Sequence, residues 1–193
     1  TNKDGATLQF GISDAQILAQ GRSDGAVMAW ALKTFTDLHG NAVAVSYTNN
    51  GASDGEYYPS RIDYTSNSVT GAPAQRSVQF GYQPRPDPIT SFVAGSMMQT
   101  TVRLTNIVTA VGNTQVQNYV FSYDPAPPQP AVSRLVSIQQ CDANLKCLGA
   151  TQFAWQNPIP NLISTITTGL GGTPVVTYTP LASGAAYTKG TGS

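Results

Sequence analysis

Arg103-Leu-Thr-Asn-Ile107-Val-Thr-Ala-Val-Gly112-Asn113-Thr-Gln-Val-Gln-Asn-Tyr119-Val-Phe121-Ser-Tyr123 decides the fold class. Apolar residues alternate with polar ones on both sides of a Gly-Asn turn. Period-two alternation around residues that tolerate positive φ is the signature of a β-hairpin. The same order returns around it. Trp30-Ala-Leu32, Phe35 and Asp37 lead through Gly40-Asn41 to Val43, Val45 and Tyr47. Arg134-Leu135 and Ile138 lead through a cysteine-bounded loop to Phe153 and Trp155. Leu162-Ile163 and Ile166 lead through Gly171-Gly172 to Val176 and Tyr178. Repeated hairpins predict an all-β, mostly antiparallel meander, in which each unit spends its side chains on covering its neighbour.

Outward from these units the chain stays β-like. Ala15 to Leu32 is the best helical candidate, but Gly21 and Gly25 interrupt it, each costing about 1 kcal/mol in a helix interior. It reads as two strands joined by a turn. Asp4-Gly5 opens as a hairpin turn ahead of Leu8 and Phe10. Tyr57 to Tyr64 reads as a strand entered through Pro59, with Val78, Phe80 and Tyr82 as its partner. Three proline clusters, Pro84/Pro86/Pro88, Pro125/Pro127/Pro128/Pro130 and Pro158/Pro160, predict loops or sheet edges because proline cannot donate to a ladder. The last divides the chain into a hairpin-repeat region, 1–156, and a C-terminal hairpin unit, 157–193. Six hairpin-like units, about twelve strands, would bury a continuous core on one sheet face. The expected core residues are Trp30, Tyr47, Phe80, Tyr119, Phe121, Tyr123, Phe153 and Trp155, with Phe10, Tyr64, Tyr82 and Tyr178 in the same alternation.

Composition narrows the function. Only 10% of the 193 residues are charged, and ten basic residues balance ten acidic ones. This leaves no electrostatic footprint for nucleic acid or an anionic membrane. Ser, Thr, Asn, Gln and Gly carry the polar faces, as in extracellular β-proteins and in surfaces that meet another protein layer. No run approaches the roughly 18 apolar residues of a membrane helix. The start at Thr1 and the tail Tyr187-Thr-Lys-Gly-Thr-Gly-Ser193 read as a processed or excised piece of something longer.

An ordered series of short words carries a resemblance. Lys3-Asp4-Gly5 to Phe10-Gly11 is followed by Trp30-Ala-Leu32, Gly40-Asn41 and Tyr58-Pro-Ser-Arg-Ile-Asp-Tyr64. Then come Val78-Gln-Phe80, Arg85-Pro-Asp87, Arg103-Leu104, Tyr119-Val-Phe-Ser-Tyr123, Ser133-Arg-Leu135 with Cys141, and Thr151-Gln-Phe-Ala-Trp155. Together they resemble the SpvB-type region of bacterial insecticidal toxin-complex B subunits and related RHS/YD-repeat proteins. Asn161 to Ile166, Gly169-Leu-Gly171, Tyr178-Thr-Pro-Leu181 and Tyr187-Thr-Lys189 resemble the region that follows there. The resemblance implies a secreted or bacterial cell-surface protein whose β-strips form a curved sheet in a hollow shell. Its partners would be neighbouring domains of the same polypeptide or assembly and an enclosed C-terminal toxin peptide. One departure stands out. Many relatives insert an FG-GAP β-propeller between the Phe-x-Trp and Leu-Ile-x-x-Ile words, whereas six residues separate Trp155 from Leu162 here.

Candidate chemistry is sparse, and no catalytic activity, cofactor or metal is expected. His39, the sole histidine, lies in the turn Asp37-Leu-His-Gly-Asn41, and no Gly-x-Ser-x-Gly elbow accompanies it. Glu56 is the sole glutamate, so the Glu-x-Glu pair of ADP-ribosylating toxins is absent. Replacing either residue is expected to be neutral. Asp24-Gly25 and Asp54-Gly55 read as turns, not as calcium loops with regularly spaced oxygens. Cys141 and Cys147 lack the further ligands of a zinc site and the Cys-x-x-Cys spacing of a redox pair. A local disulfide pinning the hairpin loop fits; two free thiols are the alternative. Arg61, Arg103 and Arg134 each precede Ile or Leu at a strand start, as stems over the sheet edge with heads solvated or paired to Asp63, Asp87 or Asp124. The competing function classes are an extracellular binding module, with Tyr119, Phe121 and Tyr123 as a carbohydrate platform, and a subunit of an extracellular assembly.

Overall fold

The computed structural model describes residues 1–124, 132–156, 161–180, 183, 184 and 190. Pro125 to Pro130, Pro158, Pro160, Leu181 and Tyr187 to Lys189 lie outside the described residues, as does most of the tail. Twelve strands are present: β1 (Thr7–Phe10), β2 (Gln16–Leu18), β3 (Val27–Trp30), β4 (Leu32–Thr36), β5 (Asn41–Asn49) and β6 (Tyr57–Asn67), then β7 (Arg76–Val93), β8 (Ser96–Val111), β9 (Thr114–Tyr123), β10 (Leu135–Asp142), β11 (Thr151–Trp155) and β12 (Ile163–Thr167). One helical turn, α1 (Gly51–Asp54), precedes β6.

Ten strands form one antiparallel sheet in the order β1-β4-β5-β6-β7-β8-β9-β10-β11-β12. From β4 onward every strand lies beside its sequence neighbour, so the sheet is a meander. The turn chemistry explains this. Gly40 (φ 80°), Gly95 (φ 82°) and Gly112 (φ 56°) supply the left-handed positions at the β4–β5, β7–β8 and β8–β9 turns. Asp37 accepts from the His39 and Asn41 N–H groups and from the Asn41 amide, closing the first of them. The fourth unit is a partial hairpin. Val176 N–H donates to Ser164 C=O and Ile166 N–H to Pro174 C=O, returning the chain alongside β12.

β2 and β3 form a separate two-stranded sheet. The glycine-bounded turn at 21–25 joins them, as the sequence predicts. A three-residue 3₁₀ turn, Ser13–Ala15, docks this flap on β5: Asp14 pairs with Lys33 at 2.6 Å and accepts from Tyr47 N–H at 2.7 Å. Ala15 and Ile17 are fully buried here, and Gly51 of α1 lies so close to Ile17 and Leu18 that a Cβ would collide with them.

The expectation of a continuous aromatic core is corrected. Among the described residues the buried apolar ones are only Ala6, Ala15, Ile17, Ala19, Ala110 and Cys141. The ten-stranded sheet has no second layer over its faces among the described residues, so its side chains cannot be fully enclosed. Tyr47, Phe80, Tyr119, Phe121, Tyr123, Phe153 and Trp155 are accordingly half-buried, covering adjacent strands instead of filling an interior. Trp30 departs furthest. It is 62% exposed, because β3 pairs only with β2 and the indole merely lies over Gly11. Phe10 and Tyr178 are also exposed, at 51% and 45%. The cluster Pro84/Pro86/Pro88 lies inside β7 and not in a loop, but at a sheet edge as expected: pairing with β6 ends at Gln79, and the ladder to β8 breaks between Pro84 and Ile89. Trp30→Ala is therefore expected to cost far less than the roughly 3–5 kcal/mol of a buried aromatic truncation, and less than Trp155→Ala. Denaturant unfolding of the two variants measures the order.

Candidate functional site

Four hairpins close in the same way. The hydroxyl of Tyr47 on β5 donates to Leu32 C=O on β4 at 2.9 Å. Tyr82 on β7 donates to Pro59 C=O on β6 at 2.8 Å, and Tyr123 on β9 to Leu104 C=O on β8 at 2.7 Å. Trp155 on β11 donates its indole N–H to Leu135 C=O on β10 at 2.9 Å. In each case the ring sits one residue past the position that the ladder, continued, sets opposite the accepting residue. Those positions are Ser46, Gly81, Ser122 and Ala154, all small. A small residue lets the strand turn the next ring diagonally across its partner, where a polar tip reaches the end carbonyl.

The tyrosines are held as donors. Burial pushes the Tyr82 hydroxyl up to about 12, helped by Tyr58, whose ring centre lies 4.3 Å away. Burial likewise raises Tyr47 and Tyr123. The second hairpin, closed by Tyr82, is a repeat that the sequence reading missed. Its accepting strand lacks the Arg-Leu or Leu-Ile start. The legible signal was Val45-Ser-Tyr47, Phe80-Gly-Tyr82, Phe121-Ser-Tyr123 and Phe153-Ala-Trp155, an apolar–small–aromatic word.

A polar seam gathers around the β7 break. Residues 85–88 leave the ladder, so Thr101 has no β7 partner, while Val102 stays opposite Pro84. Glu56 reaches into this gap. Its carboxylate accepts from Thr101 N–H (2.7 Å), the Thr101 hydroxyl and Val102 N–H (3.3 Å). Gly55, at φ 75°, ends α1 and aims Glu56 there. The expectation that Glu56 is dispensable is thus corrected: it is 5% exposed and completes a broken ladder.

Asp87 lies in the displaced stretch and points to β10. It pairs with Arg85 at 2.9 Å and accepts from both the N–H and the hydroxyl of Ser133. Arg103 donates to the Ser133 hydroxyl at 3.0 Å and lies 4.4 Å over the Tyr123 ring. Arg85 and then Ser133 hold the Asp87 carboxyl well below the usual carboxylate range, against the opposing effect of burial. Arg61 pairs with Asp63 at 2.8 Å and Arg134 with Asp124 at 2.6 Å, as expected, but Arg61 and Arg103 lie inside β6 and β8 and not at strand starts. Arg134 is only 8% exposed, so it is buried and not a solvated edge residue.

This arrangement offers tethering, not proton transfer. The Ser133 oxygen faces a guanidinium on one side and gives its proton to an ionised carboxylate on the other. His39 is exposed in its turn, where its backbone N–H meets Asp37 and its C=O meets Asn67. Among the described residues no three His, Cys, Asp or Glu side chains gather as metal ligands, and no helix is long and apolar enough to cross a membrane. Cys141 and Cys147 are joined, with sulfurs 1.98 Å apart, beneath a loop whose Asp142 also accepts from Asn144 and Lys146 N–H. Beside this loop Tyr119, Ile138, Gln140, Leu148 and Leu170 line an open groove of about 480 Å³.

The described residues form a single-layer antiparallel β-meander, and solved structures share this fold. The N-terminal domain of effector protein SpvB from Salmonella typhimurium strain LT2 superposes with a TM-score of 0.60 at 14% identity, over 73% of this chain and 59% of that one. The Photorhabdus luminescens Tc holotoxin pore superposes with a TM-score of 0.65 at 15% identity, over 79% of this chain and 10% of that one. The likeness is one of fold, and this chain spans less than two thirds of either. No family model and no curated protein sequence matches it.

Two outcomes follow. Tyr82→Phe and Tyr123→Phe keep the ring and delete the clasp, and each should cost about 1 kcal/mol in urea unfolding. Asp87→Asn should cost about 3–5 kcal/mol at neutral pH, because it strands Arg85 in a buried pair. Asp87 has a depressed folded pKa, so its stabilisation is complete above the ordinary carboxylate pKa and is lost as pH falls below about 4. Unfolding midpoints measured across that range should fall in the parent chain, and the fall should be shallower in Asp87→Asn.

Proposed function

We propose that this chain is a non-catalytic structural module of a secreted or cell-surface, RHS/YD-like toxin-complex protein. In this reading it forms part of the wall of a shell around a C-terminal toxin polypeptide. The observation that carries the reading is the single-layer sheet, half-exposed on its faces and stitched edge to edge by its own aromatic tips and buried ion pairs. Such a sheet keeps its shape without an opposing layer and leaves its faces to neighbouring domains and to contents. The Tc holotoxin pore and the SpvB effector domain support it through their shared fold. The Cys141–Cys147 bridge fits formation in an oxidising compartment.

A second reading rests on the groove beside Tyr119, where an exposed apolar rim and Gln140 would suit a sugar ring. A substitution series in the longer polypeptide separates the two. Phe121→Ala and Trp155→Ala should expose enclosed polypeptide to protease, while His39→Ala should leave activity and unfolding unchanged. Loss of activity in His39→Ala with normal unfolding would overturn the structural reading. Loss of glycan binding in a folded Tyr119→Ala variant would favour the second.

A further inference from the structure

The distal part of the β7–β8 hairpin carries a feature that the proposed wall does not use. β6 pairs with β7 only over Arg76 to Gln79, so beyond the proline break the outer edge of β7 has no partner strand among the described residues. Every residue from Pro88 to Val93 is exposed, whereas Ser96 on β8 is buried. Ile89 is 49%, Phe92 71% and Val93 49% exposed. No charged residue occurs from Pro88 to Val102. Natural edges are blunted by lysine, an inward charge, a bulge, proline or a covering loop; here proline stops at position 88, and residues 89–93 carry no proline and no charge.

The geometry fixes which groups are open. Ala94 (φ 48°) and Gly95 (φ 82°) form a two-residue turn with both residues left-handed, so Val93 and Ser96 are the first hydrogen-bonded pair. Ser91 and Ile89 then also point their N–H and C=O at β8, and Phe92 and Thr90 point theirs outward. Pro88 falls on the outward parity with no N–H to give, which ends any added ladder there. The open edge is therefore five residues long and nearly palindromic, Ile89-Thr-Ser-Phe-Val93.

We infer that this edge is a self-docking site at which a second copy of the chain pairs antiparallel across a two-fold axis through Ser91. That register sets Thr90 against the partner's Phe92, with outward N–H and C=O groups matched in both directions. It sets Ile89 against the partner's Val93 on the opposite face and places the two Ser91 side chains, the smallest in the segment, at the axis. No other register joins the apolar pairs and matches the open backbone groups together.

All cysteine of the described residues is in the bridge, so an added thiol is a clean reporter. Paired non-hydrogen-bonded positions lie about 4.5 Å apart at Cα, within disulfide reach. Under mild oxidation Ser91→Cys should give a covalent dimer, and Thr90→Cys, which faces the partner's Phe92, should give far less. Sedimentation of the unmodified chain should show a concentration-dependent dimer that Ser91→Lys abolishes while the β-sheet circular dichroism spectrum is kept. A chain that stays monomeric from micromolar to millimolar concentration overturns the inference, as does a dimer that survives Ser91→Lys or equal cross-linking at positions 90 and 91.

Discussion

The clasp between an aromatic tip and a carbonyl of the preceding strand, just past the end of the ladder that joins the two, holds this sheet together. A single-layer sheet cannot draw on face-to-face burial. Each hairpin must therefore be secured within its own plane, where a ring laid diagonally supplies apolar cover and its polar tip closes an otherwise open carbonyl. Four such bonds, at about 1 kcal/mol each, are a substantial fraction of the 5–15 kcal/mol by which domains are stable. Their positions one residue past Ser46, Gly81, Ser122 and Ala154 make the small residue part of the device, since a bulky neighbour would occupy the path of the ring.

The buried carboxylates have a complementary role. The ladder of β7 to β8 breaks among the prolines at 84, 86 and 88, which have no N–H to give, and the chain turns that defect into two tethers. Glu56 bonds the amides beside the gap in β7, and Asp87 carries the displaced stretch across to Ser133, just before β10. Through Arg103 and Tyr123 the same network meets the third clasp. Strands β6 to β10 are thereby coupled at one place, although each pairs only with its neighbours.

Much of the meander was legible because turns and alternation are local. Gly40-Asn41, Gly112-Asn113 and the glycines at 21 and 25 mark reversals that the structure contains, and strands paired across them follow. The missing second layer was not legible, since alternation describes a half-covered face and a true interior alike. Trp30 alternates as a core residue does, yet its strand belongs to a flap with one partner. Glu56 has no catalytic companion in the sequence. Its importance depends on a break in β7 thirty residues away, which no local pattern around Glu56 reveals. The repeat that holds Tyr82 is not marked where its strands begin; the shared geometry lies where each ladder stops.

The order of the strands also bears on how the molecule comes to be folded. From β4 to β12 each new strand meets the one made just before it, so little chain entropy is lost in forming each contact. A chain delivered from its N-terminus, by a ribosome or through a secretion channel, can add one clasped hairpin at a time. Only β1 must wait, held open while the β2–β3 flap is made, until β4 arrives to pair with it. Assembly in this sense is a zipper with a single deferred tooth.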